Sequence, residues 1–237
     1  IMSIINLSIT RISECSILKN MENEIKFFII HYKKLVERKK NLLGYLQRNS
    51  FKFEFIEEIN RNTLTKENRS NFTEKKDDIH KAIFLSHIDA FKKVKESQYG
   101  YNLILEDDSI PHEDFYKRYS KYLDQLPDNF DMFFISPGKN NFHLPWYKRI
   151  PFKKVYKKDN IETHWGGHGA SRCADAYFIS KKCATTLHQE FLNKSKRVDT
   201  SIDWWMNQMI DKYNLKIYWA EPTFVDTNLY ETSFNVD

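Results

Sequence analysis

Three consecutive carboxylates, Glu106, Asp107 and Asp108, follow directly on an apolar run at 101–105. The run predicts a buried strand, and ligands of open α/β sheets bind at the carboxyl ends of strands. Adjacent acids repel, so a divalent cation that offsets their charge is the simplest reason for the cluster. Oxygen ligands favour Mg²⁺ or Mn²⁺, which usually bridge carboxylates to substrate phosphates. The alternative is that the acids cap a turn or the following helix.

The segments that would position these acids alternate between strand-like and helix-like patterns. Short apolar or alternating runs predict strands over 25–30, 51–56, 101–105, 131–136, 174–179 and 215–220. Apolar stripes at helical spacing predict helices over 33–47, from a cap at Asp78 to about Gly100, from a cap at Ser180 to 191, and over 202–213. The polar segment 60–78 shows no periodicity and is predicted to be a surface loop. This alternation is typical of an α/β fold.

The size and composition of the chain describe a globular protein. A length of 237 residues fits one or two domains, and no internal repeat or second domain is evident. Hydrophobic residues at 41% and aromatic residues at 15% argue against disorder, and no apolar run approaches the ~20 residues that span a bilayer. Because Met21 precedes the first predicted strand, we expect residues 1–20 to be an extension and residues 21–237 to form the domain.

The net charge limits the classes of binding partner, and the cysteines indicate the redox state of the compartment. A net charge of +5 suits nucleic acid, anionic lipid headgroups or a polyanionic substrate such as a nucleotide diphosphate. The basic residues are scattered, without an arginine-rich arm or a zinc-finger pattern, so we expect no nucleic acid partner. The three cysteines lack CxxC spacing and predict neither a disulfide framework nor a zinc site, which favours a reducing compartment.

Two neighbouring motifs are Ser-His-Ile-Asp-Ala-Phe at 86–91 and Leu-Ile-Leu-Glu-Asp-Asp-Ser at 103–109. Together they resemble the motifs of glycosyltransferase family 25, the lipooligosaccharide and collagen galactosyltransferase family. A third segment, Ala-Tyr-Phe-Ile-Ser-Lys-Lys-Cys-Ala at 176–184, is similar to a later motif, and the resemblance extends over roughly 25–230. The chain departs from the family pattern at His31-Tyr32, where Asn-Leu is common, and at Ala82-Ile83, where Gly-Cys is common.

The resemblance implies a single Rossmann-like domain of GT-A type, with a mixed, mostly parallel sheet flanked by helices. It further implies transfer of a sugar, galactose from UDP-galactose, to a glycan, glycolipid or other hydroxyl acceptor with Mn²⁺ or Mg²⁺. The acids would then act as the Asp-x-Asp equivalent: Glu106 and Asp108, on one side of an extended segment, bind the metal, and Asp107 faces the other side. Glu106 and Asp107 also belong to the expected donor site. Lys34 and Arg38 fall on the family's basic positions and are expected there too.

Transfer with inversion requires a carboxylate that takes the proton of the acceptor hydroxyl. Asp199 and Asp203 are spaced i, i+4 at the start of a predicted helix, so both would lie on one face, and either is a candidate for this base. The alternative is that they stabilise the first turn of the helix through its dipole.

Several other side chains could have a role in binding, or could serve only the structure. His87 lies within an apolar stripe, and it is either a hydrogen-bonded core residue or a contact to the donor and the acids. Trp146 and Trp165 lie in an irregular stretch and could stack on an acceptor sugar. His164 and His168, in the same stretch, could complete the metal ligands, although histidines in glycine-rich loops often have no such role.

Two other functions stay open on the sequence. A metal-dependent nucleotidyltransferase would share the acidic strand end and the basic surface, and it would release pyrophosphate. A transferase-like module without activity would bind a glycan or a protein, but it would have no reason to keep costly adjacent charges at 106–108. The expected location is the cytoplasm, with peripheral contact to a membrane through surface lysines left open. Neither the acceptor nor the oligomeric state follows from the sequence.

Overall fold

The computed structural model describes residues 25–138, 143–158, 172–193 and 197–227. The strands in chain order are β1 (Ile25–Ile30), β2 (Lys52–Ile56), β3 (Tyr101–Glu106), β4 (Ile110–Pro111), β5 (Met132–Phe134), β6 (Val155–Lys157), β7 (Ala176–Ile179), β8 (Ile217–Ala220) and β9 (Val225–Asp226). The helices are α1 (Val36–Arg48), α2 (Lys66–Ser70), α3 (Asp78–Glu96), α4 (Phe115–Leu123), α5 (Lys181–Leu192) and α6 (Ile202–Tyr213), with a 3₁₀ turn at Trp146–Lys148. Within these ranges no helix combines the length and the apolar character that crossing a membrane requires.

Seven strands form one mixed sheet in the order β2-β1-β3-β7-β5-β8-β6. β1 pairs in parallel with β2 and β3, and β5 pairs in parallel with β8. β7 lies antiparallel between β3 and β5, and β6 lies antiparallel beside β8. β1, β2, β3, β5 and β8 therefore end at one edge of the sheet, where β6 and β7 begin. The predicted α/β class and mixed sheet with flanking helices are confirmed.

Helices cover both faces of this sheet. Side chains of α3, α5 and α6 share a core with Phe28 and Ile104 on one face. Side chains of α1 and α4 share a second core with Phe27 and Leu105 on the other face. Successive residues of β1 and β3 therefore enter opposite cores, which explains why these strands are continuous apolar runs.

Local capping follows the predicted pattern with one shift. The Ser180 hydroxyl accepts a hydrogen bond from the Cys183 amide at 3.1 Å, so the predicted cap of α5 is confirmed. The expected cap at Asp78 is wrong by one residue, because the Asp77 carboxylate accepts from the His80 amide at 2.8 Å and Asp78 is the first helical residue. Ser, Thr, Asp and Asn are favoured at this position because their oxygens satisfy otherwise unpaired amides.

The predicted loop at 60–78 contains a short helix, α2. Thr65 and Asn68 form a capping box at its start, and Arg69 joins the helix to α3 by donating to Asp78 at 2.8 and 3.0 Å. A helix of five residues completes too few turns to show an apolar period, and periodicity therefore does not predict it.

Candidate active site

A cavity opens where β1 and β3 end, beside the N-terminal half of α3. Ile79, Ala82 and Ile83 of α3 supply an apolar wall, and the 106–108 carboxylates supply an acidic one. The rest of the lining comes from the end of β1 and the two residues after it (30–32), from residues 59–61 and from Ser86. The sequence-predicted acids thus share a single concave surface with apolar and polar side chains, as ligand-binding cavities commonly do.

Asp107 is buried in this cavity wall and is held by cationic and polar groups. Arg38 Nη1 donates to Asp107 Oδ1 at 2.6 Å, and His31 Nδ1 lies 2.7 Å from Asp107 Oδ2. The Tyr32 amide also donates to Oδ2 at 3.4 Å. A buried carboxylate requires such compensation because it has lost its hydration. Asp107 therefore fixes the acidic turn to β1 and α1.

The two basic residues expected in the donor site do not lie along the cavity wall. Arg38 is buried and engaged with Asp107, whereas Lys34 is exposed, and neither is among the residues that line the cavity. Arg38 contacts the neighbouring carboxylate of Asp107. Direct contact of Lys34 or Arg38 with a donor stays a prediction.

The extended segment expected across the acids ends at Glu106. β3 ends at Glu106, and the Ser109 amide donates to the Glu106 carbonyl at 3.0 Å, which closes a turn. Asp107 and Asp108 therefore do not follow the two-residue period of a strand. All three carboxylates line the same cavity.

His87 joins Glu106 to the core. Its Nε2 lies 3.3 Å from Glu106 Oε1, its Nδ1 lies 2.9 Å from the Tyr177 hydroxyl, and the imidazole is fully buried. Burial, and then the charge of Glu106, raises the pKa of Tyr177 well above its ordinary value, so its hydroxyl keeps its proton. Tyr177 can then donate to Nδ1, which leaves Nε2–H to donate to Glu106. His87 is thus both a core residue and a partner of an acid.

Asp175 is a fourth carboxylate at this edge. Its carbonyl accepts from the Glu106 amide at 2.8 Å, and its carboxylate accepts from the Ser136 hydroxyl at 2.6 Å. Burial raises the pKa of Asp175 to about 7, with the charges of Glu106 and Asp108 adding to the effect. Desolvation and like charges both disfavour the ionised form. The protonated, neutral form of Asp175 is therefore favoured up to about pH 7.

A buried ion pair lies further along the same edge. Arg172 donates from Nη2 to Glu221 Oε1 and from Nη1 to the Ala220 carbonyl at 2.7 Å. The Leu144 amide donates to Glu221 Oε1 at 2.9 Å, and burial lowers the pKa of Arg172. Paired and hydrogen-bonded in this way, the charges hold the segments that follow β8 and precede β7.

The acids fit a metal ion that arrives with a phosphate ligand better than one held by protein alone. Across the described ranges, no group of three or more His, Cys, Asp or Glu side chains is arranged to hold a metal ion. Asp107 is paired with Arg38, and Glu106 and Asp108 line the cavity wall beside it. Mg²⁺ is usually bound by one or two carboxylates together with substrate phosphates, and this oxygen pair matches that arrangement.

Neither candidate base is among the residues that line the cavity. α6 begins at Ile202, so Asp199 precedes the helix, and the expectation that Asp199 and Asp203 share a helical face is wrong. Asp199 is exposed and lines a different cavity with Arg197 and Trp205. Asp203 lies in the first turn of α6 and accepts from the Ser201 hydroxyl at 2.5 Å. Their role as base stays a prediction.

The aromatic and histidine candidates of the irregular stretch lie elsewhere. Trp146 is 82% exposed and is not among the residues that line the acidic cavity. Trp165, His164 and His168 lie outside the described residues. A role for these four side chains in acceptor or metal binding therefore stays a prediction.

Sequence reasoning missed two residues that the structure places beside the acids. His31 follows directly on β1, so the rule that identified the 106–108 acids could also have identified it. Asp175 precedes β7, and it reaches this edge only because β7 runs antiparallel to β3. No local pattern in the sequence shows the direction of a buried strand.

Comparison with known proteins identifies the family of the chain. The family described as Glycosyltransferase family 25 (LPS biosynthesis protein) matches residues 24–206, and the chain belongs to this family. No curated protein matches the chain. A similar solved structure is that of a glycosyltransferase involved in the glycosylation of the major capsid of PBCV-1; it has 10% sequence identity and a TM-score of 0.45, with 87% of this chain and 95% of that chain covered. Membership of this family makes the chain a transferase of the glycosyltransferase class.

Proposed function

We propose that the chain transfers galactose from UDP-galactose to a hydroxyl of a glycan or glycolipid, with inversion, in the cavity formed by the ends of β1 and β3. The observation that carries this proposal is the meeting of the 106–108 carboxylates with an apolar wall in one cavity of a family 25 chain. The apolar wall suits the nucleoside, and the acids suit the diphosphate with its cation. The galactose itself rests on the family resemblance.

We assign Glu106 and Asp108 to Mn²⁺ or Mg²⁺, which would neutralise the diphosphate as it leaves. His87 donates to Glu106 and fixes the direction of that carboxylate, and Arg38 with His31 holds Asp107 in the wall. These contacts hold the side chains of Glu106 and Asp107 in place before the donor binds. Donor binding therefore costs little side-chain entropy at these two residues. A mixed sheet with helices on both faces is compatible with the proposed GT-A class.

The reaction breaks the bond between the anomeric carbon and the diphosphate oxygen while the acceptor oxygen forms a bond to that carbon from the opposite face. The acceptor proton passes to a carboxylate, for which Asp203 is the proposed base and Asp199 the alternative. α6 precedes β8 by a short connection and packs on the sheet, so its N-terminus points toward the edge where the acids lie. We also propose a cytoplasmic location, since the buried Cys183 is a free thiol.

Calorimetric titration with UDP, in Mn²⁺ and in EDTA, tests the binding step. We expect UDP to bind more tightly with Mn²⁺, and Asp108→Asn and Glu106→Gln each to weaken the Mn²⁺-dependent affinity by more than about tenfold. Asp128→Asn, an exposed aspartate outside the cavity, serves as the control. Equal affinity of all variants in Mn²⁺ and in EDTA would exclude the proposed metal site.

A further inference from the structure

Large apolar side chains are concentrated on the surface of one short stretch, residues 146–154, termed the aromatic segment below. Trp146 is 82% exposed, Tyr147 69%, Ile150 57% and Phe152 94%. The other exposed large apolar side chains of the described ranges, Val36, Leu192 and Tyr213, are scattered singly over the fold. Single exposed apolar residues are ordinary, but a contiguous group marks an interaction surface.

Basic residues alternate with these apolar ones. Lys148, Arg149, Lys153 and Lys154 lie in the aromatic segment, and positions 143–158 contain no acid. Arg149 Nη2 approaches Glu221 Oε2 at 3.7 Å. Lys148 and Lys153 are exposed, and Lys154 is half-buried. The stretch therefore combines apolar side chains with positive charge, a composition that suits a boundary between an apolar phase and anionic groups.

The aromatic segment is braced by hydrogen bonds to its backbone. The Ile150 amide donates to the Tyr156 hydroxyl at 2.8 Å. Gln125 donates to the Phe152 carbonyl at 3.0 Å and accepts from the Lys154 amide at 2.7 Å. Phe152 is held at φ 65°, a conformation that is costly for a bulky residue. The fold thus presents an exposed phenylalanine in a fixed position.

Its place in the sheet puts the aromatic segment at the edge where the acidic cavity opens. Val155 of β6 pairs with Ala220 of β8, and the Glu221 amide donates to the Lys154 carbonyl at 2.8 Å. β6 is four strand steps from β3, which at ~4.8 Å a step amounts to roughly 20 Å along the edge. The segment and the cavity therefore lie at the same edge of the sheet.

We propose that the aromatic segment docks the protein on a membrane surface that carries anionic lipid headgroups. Trp146 and Phe152 enter the interfacial layer, and the surrounding lysines and Arg149 contact lipid phosphates. The positive charge of the segment complements an anionic bilayer. Transfer of Phe and Ile side chains from water into lipid is favourable, and a soluble glycan offers no comparable apolar phase. This inference goes beyond the sugar-transfer proposal and does not depend on it.

Co-sedimentation with vesicles of phosphatidylcholine, with and without phosphatidylglycerol, tests the docking. We expect binding to the anionic vesicles that weakens as salt is raised. The double variant Trp146→Ser, Phe152→Ser should bind about tenfold or more weakly, and Lys148→Ser and Lys153→Ser about fivefold each. Leu192→Ser and Lys66→Ser, at an exposed apolar residue and an exposed lysine elsewhere, should bind like the parent chain.

Two outcomes would overturn the proposal. One is absence of binding to anionic vesicles, and the other is equal loss in the segment variants and in the two control variants. Tryptophan quenching by brominated lipids gives a second measurement: the parent chain should be quenched, and Trp146→Phe should bind the vesicles with most of that quenching lost. The segment could instead mediate dimerisation or bind a soluble glycan. Either result, without binding to vesicles, would refute docking on a membrane.

Discussion

Arg38 Nη1 lies 2.6 Å from Asp107 Oδ1, and both side chains are largely shut off from solvent. This pair joins α1 to the acidic turn after β3, with His31 on the other carboxylate oxygen. A buried carboxylate that loses its cation keeps its desolvation cost. The pair therefore supports both the fold and the charge balance of the cavity.

Arg38→Met should lower the free energy of unfolding by about 3 kcal/mol, because Asp107 would remain buried without its cation. Urea denaturation measures this change. Lys34→Met, at an exposed position four residues earlier, should change the free energy of unfolding by less than about 0.5 kcal/mol. Equal, small effects of the two substitutions would show that the Arg38 contact contributes little.

His87→Asn should lower the free energy of unfolding by about 2 kcal/mol, since the fully buried imidazole bridges Tyr177 and Glu106. Tyr177→Phe removes one hydroxyl of that bridge and should cost about 1 kcal/mol. Tyr147→Phe, at an exposed tyrosine, is the matched control and should be neutral. Thermal melts report all three. An unchanged melting temperature for His87→Asn together with lost donor binding would contradict the structural role of His87.

Asp175 should make the protein less stable as the pH rises from about 4 to about 7. Its pKa is raised from 3.8 to about 7 in the folded state, so over this range the unfolded chain has released the proton that the folded chain retains. The unfolded state then binds fewer protons, and stability falls by up to about 4 kcal/mol, reaching a plateau above the folded pKa.

Asp175→Asn removes this titration and keeps an acceptor for Ser136. Denaturant titrations in EDTA across this pH range should therefore show the variant gaining stability relative to the parent chain as the pH rises. A difference in stability that stays constant from about pH 4 to about pH 7 would mean that Asp175 is not perturbed in this way.

Gly138→Ala and Gly44→Ala should have opposite effects on stability. Gly138 has φ +69°, and a Cβ there would lie 2.7 Å from the Arg172 carbonyl oxygen and 2.9 Å from Cys173 Sγ, so alanine should destabilise by more than about 1 kcal/mol. Gly44 lies inside α1, and no atom lies within 4 Å of the position that a Cβ would take, so alanine there should stabilise by about 0.5–1 kcal/mol. The same sign for both substitutions in urea denaturation would contradict this expectation.

The sequence was most informative where a pattern is local and periodic. The apolar run of β1 and the stripe of α6 were predicted within a few residues, because burial on a regular element repeats at a fixed spacing. α4 was not predicted, although Phe115, Tyr119 and Tyr122 recur on its buried face, since a helix of nine residues repeats its apolar period over few turns. β4, β6 and β9 are too short to show a period.

The features of the candidate site were likewise predictable where they are local in sequence and not where they depend on tertiary contacts. The 106–108 acids were found because they follow a strand, but the turn that begins after Glu106 and the contact between Arg38 and Asp107 depend on tertiary packing. Asp175 reaches the acids only through the antiparallel pairing of β7 with β3. Asp199 was wrongly placed in a helix because sequence determines the first residue of a helix poorly. α6 begins three residues after Asp199, so Asp199 has no place on a face of that helix.

Donor turnover tests the proposed sugar transfer most directly. The chain is incubated with a panel of UDP- and GDP-sugars in Mn²⁺ or EDTA, and free nucleotide and pyrophosphate are followed, with Asp108→Asn as the inactive control and Asp128→Asn as the active one. We predict Mn²⁺-dependent release of UDP from UDP-galactose that is lost in Asp108→Asn alone. Release of pyrophosphate, or no release from any donor together with no stabilisation by any nucleotide sugar, would contradict the proposal.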